Sequence, residues 1–132
     1  MSKLLTNADV VRQAYQAFNE ADLAALDRCF GDDATWTTPG DSTVAGTARG
    51  KNAVFTQFGR YGGETSGTFK AQLQAVFETE DGRVIGLHRN VGERDGNKLD
   101  TMCSLLLEVS DEQIKSGTEY FLDLQNWDRF WS

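Results

Sequence analysis

The chain has little of several residue types, and each shortage removes a class of protein. Its 132 residues include two cysteines, one histidine and one proline. One histidine and no CxxC pair cannot supply the clustered ligands of a structural metal site, so we expect no metal and no cofactor. Cys29 and Cys103 resemble buried apolar positions, which favours a reduced, cytoplasmic protein.

Positive charge and long apolar runs are also scarce. Lys and Arg number 13 against 20 Asp and Glu, a net charge of -7, which speaks against nucleic acid or an anionic membrane as the main partner. No stretch reaches the roughly 18 consecutive apolar residues of a membrane span. The apolar part of Met1–Thr6 is too short for a signal peptide. We expect one domain over residues 1–132, large enough for its own core.

The first half of the chain has the apolar spacing of helices. Three are predicted: one that Thr6 or Asn7 can cap and that ends near Asn19–Ala21, a shorter one from Asp22 to Gly31, and one over residues 51–61. Between the last two, Ala34–Thr38 is β-branched and aromatic, which predicts a strand that ends at Pro39. Residues 41–50 are predicted to form a loop.

The second half has the alternation of strands. Phe69–Phe77 alternates apolar and polar residues, and two Asp-Gly turns separate further strands over residues 83–94 and 99–109. A last strand is predicted over residues 114–125. One face of each strand is too apolar for water, so these patterns predict an α+β fold with a curved, mostly antiparallel sheet around the N-terminal helices.

A carboxylate in the last predicted strand is the first candidate functional group. Strand side chains alternate faces, so Asp123 shares a face with Phe121, opposite Tyr120 and Leu122. If that face is inward, Asp123 lines a cavity or meets a partner. If the face is open to solvent, Asp123 is an ordinary surface residue.

The strand over residues 84–91 carries the second candidate. Gly86, His88 and Asn90 share one face, an odd composition for a core but a reasonable one for a pocket wall. His88 can take or give a proton near neutral pH. The alternative is a structural histidine that is hydrogen-bonded to a neighbouring strand.

Several segments together resemble a known superfamily. They are Tyr15–Phe18, Asp22–Leu26, Phe30–Trp36, Thr38–Gly40 and Tyr120–Asp123. In this order they resemble the nuclear transport factor two-like superfamily, and within it the SnoaL-like and ketosteroid-isomerase-like branch. The resemblance implies a cone-shaped scaffold (a cystatin-like roll) with a deep pocket, and a homodimer formed sheet to sheet. It implies less about chemistry, because this scaffold carries isomerases, cyclases, epoxide hydrolases, dehydratases and non-catalytic binders.

The resemblance also implies roles for particular residues. SnoaL-like cyclases place a working carboxylate on the last strand, which makes Asp123 the expected base, with His88 assisting. Tyr15 falls where ketosteroid isomerase has a helical tyrosine, so it either donates into the pocket or packs on the sheet. Thr38 precedes Pro39 where that isomerase has its base, which argues against that mechanism. Expected ligand contacts are made by Trp36, Phe58, Asn90 and Phe121.

Two functions follow from the sequence. One is a cofactor-independent isomerase or cyclase that removes a proton next to a carbonyl, with lyase and hydrolase chemistry left open. The other is a non-catalytic binding protein for an apolar small ligand, or a dimeric interaction domain.

Overall fold

A computed structural model describes residues 5–132. Residues 1–4, part of the segment in which no signal peptide is predicted, lie outside the described residues. In chain order, the elements are α1 (Asn7–Asn19), α2 (Leu23–Cys29), β1 (Phe30–Thr38), β2 (Gly46–Arg49), α3 (Lys51–Gly63), β3 (Lys70–Glu78), β4 (Val84–Arg94), β5 (Asn97–Ser110), β6 (Gln113–Phe121) and α4 (Leu124–Trp131).

The strands form a mixed, curved sheet in the order β2-β1-β6-β5-β4-β3. Every neighbouring pair is antiparallel except β1 and β6, which run parallel. The predicted α+β fold with a mostly antiparallel sheet is therefore confirmed. Three details differ. Strand β1 begins at Phe30, within the stretch predicted as the end of the second helix, and β2 lies in the stretch predicted as a loop. A fourth helix follows a last strand that is shorter than predicted.

Helix α1 begins at a capping box and turns one apolar face to the sheet. The Thr6 hydroxyl accepts a hydrogen bond from the Asp9 amide, and the Asp9 carboxylate accepts one from the Thr6 amide. This reciprocal pair satisfies amides that a helix start leaves unpaired. The buried face of α1 includes Val11 and Tyr15, which places the tyrosine over the concave side of the sheet.

An irregularity in β6 sets which of its side chains point inward. The pairing of β5 with β6 shifts register near Val109, and Ile114 is buried although it has the opposite parity to Gly117 and Glu119, which are also buried. One extra residue in a strand reverses the faces of all that follow. Glu119 and Phe121 therefore share the concave side.

The prediction that β6 continues to Gln125 is wrong. The strand ends at Phe121, and Asp123 is the N-cap of α4, with its carboxylate accepting from the Asn126 amide at 3.0 Å. Trp127, Phe130 and Trp131 are buried on one side of α4. Their helical spacing and a capping aspartate before them are the signals that the strand interpretation overlooked.

None of the helices between residues 5 and 132 is long and apolar enough to cross a membrane.

Candidate active site

A small cavity lies between the concave side of the sheet and helices α1 and α3. Its volume is about 60 Å³, and its wall is mostly aliphatic and aromatic. Of the residues between 5 and 132 that form the wall, Phe18 and Phe58 are the two that are partly exposed. Their rings contact each other edge to face, with centroids 5.4 Å apart. These two rings are therefore the part of the described wall nearest to solvent.

One buried carboxylate, that of Glu119 on β6, faces this cavity. Its Oε1 accepts hydrogen bonds from Trp36 Nε1 at 2.9 Å, from the Thr38 hydroxyl at 2.7 Å and from the Tyr61 hydroxyl at 2.9 Å. Oε2 makes no hydrogen bond with any other residue between 5 and 132. One oxygen is thus held in place while the other remains available to a ligand.

The electrostatics of Glu119 follow from its burial. Burial raises the pKa of this carboxyl above its ordinary value near 4.5, and the three hydrogen bonds oppose the rise without cancelling it. The titratable groups in the cavity wall are Tyr15, Tyr61, His88 and Glu119. Among residues 5–132, no lysine or arginine lines the cavity, so within these residues the carboxylate is balanced by hydrogen-bond donors rather than by a cation.

Local backbone geometry brings the indole of Trp36 to Glu119. Trp36 pairs with Gly117 in the parallel ladder between β1 and β6. A Cβ at Gly117 would overlap the indole ring at Cζ3 and Cε3. Because Gly117 has no side chain, the indole can lie across β6 and direct its N–H to the carboxylate two residues further on.

A second polar group in the cavity wall is a chain of three side chains. The Tyr15 hydroxyl lies 2.6 Å from His88 Nδ1, and His88 Nε2 lies 2.9 Å from Asn90 Oδ1. Burial lowers the pKa of His88 from 6.5 to about 4, and the hydrogen bond to Asn90 opposes this only in part. The imidazole is therefore neutral at pH 7. Because Asn90 Oδ1 can only accept, the His88 proton is on Nε2, and Tyr15 donates to Nδ1.

The position of the Tyr15 hydroxyl, like that of the Trp36 indole, requires a glycine on the neighbouring strand. A Cβ at Gly86 would lie 2.5 Å from that hydroxyl. Burial raises the pKa of Tyr15 well above 10.0, and Cys103 and Glu119 add to the rise. The negative charge of Glu119 therefore acts on the Tyr15 chain, although no direct hydrogen bond joins them.

Most of the residues expected in the site line the cavity. Tyr15, Trp36, Phe58, His88 and Asn90 are in its wall.

The other two residues expected in the site lie elsewhere. Phe121 stacks on Trp127 with ring centroids 4.0 Å apart, in the aromatic cluster beneath α4. The expected placement of Asp123 in the pocket is wrong, because the strand ends before it and its exposed carboxylate caps α4.

Three residues of the site were not among those expected from the sequence. Glu119 lies on the strand face that the alternation assigned to Phe121 and Asp123. The face that carries the site carboxylate was therefore predicted correctly, but the carboxylate is that of Glu119 and not that of Asp123. Thr38, noted only as a missing base, donates to Glu119. Tyr61 gave no local signal, since its helical spacing is that of an ordinary core residue.

Comparison with known proteins assigns the chain to a family. The SnoaL-like domain family matches residues 11–117. The chain belongs to the SnoaL-like domain family. Bal32a, encoded by a soil-derived mobile gene cassette, is 50% identical to this SnoaL-like chain, with a TM-score of 0.94 over 96% of both chains. No match was found among proteins of curated function.

More distant structures share the fold of this SnoaL-like domain. A cystatin-like protein of unknown function from Xanthomonas campestris is 24% identical, with a TM-score of 0.90 over 97% of this chain and 99% of its own. TerC, co-crystallised with polyporic acid, is 16% identical, with a TM-score of 0.80 over 94% of this chain and 96% of its own. These two similarities establish the fold alone.

The SnoaL-like chain has no grouped metal ligands in the part that the structure describes. Between residues 5 and 132, no three His, Cys, Asp or Glu side chains lie together as a metal site requires.

Proposed function

We propose that the cavity binds a small, largely apolar molecule and that Glu119 transfers a proton at a carbon next to its carbonyl. This is the chemistry of a cofactor-independent isomerase or cyclase, with Glu119 in the role that the sequence suggested for Asp123. The observation that carries the proposal is the Glu119 carboxyl itself. Three donors hold Oε1, and Oε2 has no partner in residues 5–132.

A buried carboxylate of this kind suits proton transfer from carbon. A general base works best when its pKa lies near the operating pH, and burial moves the pKa of Glu119 upward in that direction. The apolar wall keeps water from solvating the charge. Since the ionised form is the base, turnover is expected to rise with pH through the raised pKa of Glu119.

The size of the cavity restricts the ligand. An engineered cavity that holds benzene measures about 150 Å³, whereas this one measures about 60 Å³. A ligand of two or three carbon atoms is closest to this volume. A ring-sized ligand requires the partly exposed rings of Phe18 and Phe58 to move outward.

Exchange of carbon-bound hydrogen for deuterium tests the proposal without knowledge of the natural substrate. Acetone, butan-2-one, cyclopentanone and cyclohex-2-enone would be incubated with the protein in D₂O and followed by proton NMR. We expect accelerated exchange next to the carbonyl of at least one ketone, and its loss in Glu119→Gln. Glu80→Gln, at an exposed position outside the cavity wall, is the matched control. Binding without accelerated exchange would contradict the catalytic proposal.

Non-catalytic binding is a second candidate, and the Tyr15 chain favours it. The hydroxyl proton of Tyr15 and the ring proton of His88 are both used within the protein, so neither is directed at a ligand. In this case ketones bind in the cavity, but the protein does not accelerate hydrogen–deuterium exchange next to their carbonyl. Glu119→Gln then leaves the exchange rate unchanged.

A further inference from the structure

In the side-chain amide of Asn90, the oxygen is hydrogen-bonded within residues 5–132 and the nitrogen is not. Asn90 is 1% exposed and lies in the cavity wall. Its Oδ1 accepts from His88 Nε2 at 2.9 Å. Its Nδ2, which carries two protons, donates to no acceptor within residues 5–132. A buried amide N–H without an acceptor is costly, so the cavity beside it is where an acceptor is expected.

We propose that Asn90 Nδ2 donates a hydrogen bond to the carbonyl oxygen of the ligand, and that Tyr15 and His88 are positioning residues that hold the amide in this orientation. The ligand class is an uncharged ketone or conjugated enone. This inference rests on the cavity assigned under the proposed function, and it adds the group that binds the oxygen.

The contact with His88 shows which end of the amide faces the ligand. Asn90 Oδ1 faces His88 Nε2 at 2.9 Å. Because Oδ1 can only accept, the ring proton is on Nε2, and Nδ1 accepts from the Tyr15 hydroxyl. With Oδ1 turned to His88, Nδ2 is left for the cavity. Without the Tyr15 hydroxyl, the other tautomer becomes accessible and the amide can rotate.

The same hydrogen bonds exclude Tyr15 and His88 as direct donors to the ligand. The hydroxyl proton of Tyr15 and the ring proton of His88 are both donated among these three side chains. Of the three, Asn90 is then the one with an N–H left to donate to a ligand.

The placement of Asn90 relative to Glu119 sets the direction of the ligand. In the sheet, Leu105 pairs with both Gly86 and Glu119, and Asn90 lies four residues beyond Gly86 on β4. The donor and the base are therefore at different positions along the concave face. A ligand that meets both has its carbonyl oxygen at Asn90 and the adjacent carbon toward Glu119. As the carbon loses its proton, negative charge develops on the oxygen, where an amide donor stabilises it.

Matched ligands test the assignment by binding alone. Cyclopentanone and methylenecyclopentane share one shape and differ in the acceptor oxygen. In NMR titrations of ¹⁵N-labelled protein we expect the ketone to bind about 3- to 10-fold more tightly. We also expect the Asn90 side-chain NH₂ signals to shift with the ketone only. Asn90→Leu has a similar volume and no donor in either protonation state, so it should abolish the preference. Equal binding of both ligands, or a preference retained in Asn90→Leu, would overturn the proposal.

The positioning role has a separate readout in the single histidine. The ¹⁵N shifts of its ring are expected to show the Nε2–H tautomer in the wild-type protein and a shift toward Nδ1–H in Tyr15→Phe, with a reduced preference for the ketone. Tyr120→Phe, at an exposed tyrosine, is the control and should change neither. An Nδ1–H tautomer in the wild type would overturn the orientation of the amide, even if Asn90→Leu does not fold.

The two proposals fail in different ways. If Glu119→Gln abolishes exchange while Asn90→Leu leaves ketone preference and exchange unchanged, the base is right and the donor assignment is wrong. If the ketone is preferred and shifts the Asn90 signals but no exchange occurs, the donor assignment holds and the catalytic proposal is wrong.

Discussion

The indole of Trp36 lies across Gly117, its partner in the parallel pairing of β1 with β6. That contact aims Trp36 Nε1 at Glu119, 2.9 Å away. A glycine on one strand thereby fixes a hydrogen bond to a carboxylate two residues along the same strand.

Gly117→Ala should therefore disturb both stability and the site. Its Cβ would overlap the indole ring, and overpacking of this kind costs about 1 to 3 kcal/mol of unfolding free energy. Urea denaturation measures the loss. Gly59→Ala is the control, because nothing lies within 4 Å of its Cβ and alanine favours the α3 helix by up to about 1 kcal/mol. Changes of the same sign in the two variants would contradict this account of Gly117.

Gly86→Ala should disconnect Tyr15 from His88. A methyl group 2.5 Å from the Tyr15 hydroxyl pushes it away from Nδ1, so the ¹⁵N shifts of His88 should lose the pure Nε2–H pattern. Gly92→Ala, on the same strand and face, places its Cβ at an ordinary contact distance of 3.4 Å from Phe69. That variant should keep the wild-type tautomer, and an identical response in the two variants would count against the role of Gly86.

Two buried groups should make stability depend on pH in opposite directions. Burial lowers the pKa of His88 from 6.5 to about 4, so the unfolded chain binds the proton first, and stability falls as pH drops through this window by about 3 kcal/mol. Burial raises the pKa of Glu119 above 4.5, so its contribution falls as pH rises from about 4.5 to the raised value.

Variants separate the two contributions. The unfolding free energy of the wild type minus that of Glu119→Gln should decrease with rising pH, and the same difference for His88→Gln should increase between pH 4 and 6.5. Urea titrations at several pH values measure both differences. A flat difference for either variant would show that the group has the same pKa in the folded and unfolded chain.

Asp123 should matter for stability and not for catalysis. Its carboxylate caps α4 by accepting from the Asn126 amide, and loss of a cap typically costs about 1 kcal/mol. Asp123→Ala should therefore lower the unfolding free energy by about that amount, while Asp123→Asn, which keeps an accepting oxygen, should change it little. Ketone exchange should persist in both variants; its loss in Asp123→Asn would restore the original assignment of Asp123 as the base.

The outer face of the sheet leads us to predict a homodimer. Phe77 pairs with Ile85, and Ile85 with Leu106, so three apolar residues form a row across β3, β4 and β5. Phe77 is 56% exposed, and Tyr120 on β6 is 55% exposed. Burying such a band against a second copy removes apolar area from water.

Light scattering should then give twice the 14.6 kDa mass of one chain. Phe77→Lys combined with Tyr120→Lys should give the monomer mass, and Leu23→Lys, at an exposed leucine of α2, should not. A monomer mass for the wild type at micromolar concentration would contradict the prediction.

Local patterns in the sequence were sufficient for the main elements. The helical spacing after Thr6, the alternation of residues 69–77 and the Asp-Gly turns predicted three helices and most of the sheet, because each pattern depends on neighbours in the chain. The alternation also placed Phe121 and the carboxylate of Asp123 on one face of the last strand. Glu119 has the same parity, and in the fold its side chain is buried on that face. The grouping of Gly86, His88 and Asn90 was likewise correct, since all three are on the concave side of β4.

Only the tertiary structure decided which carboxylate belongs to the site. The start of α4 at Asp123 had a local signal in the helical spacing of Trp127, Phe130 and Trp131, whereas the role of Glu119 had none. Glu119 becomes a site because donors 83, 81 and 58 positions away in the chain converge on one of its oxygens. No local period records such a convergence, because it arises from the parallel pairing of β1 with β6 and from α3 folding over them.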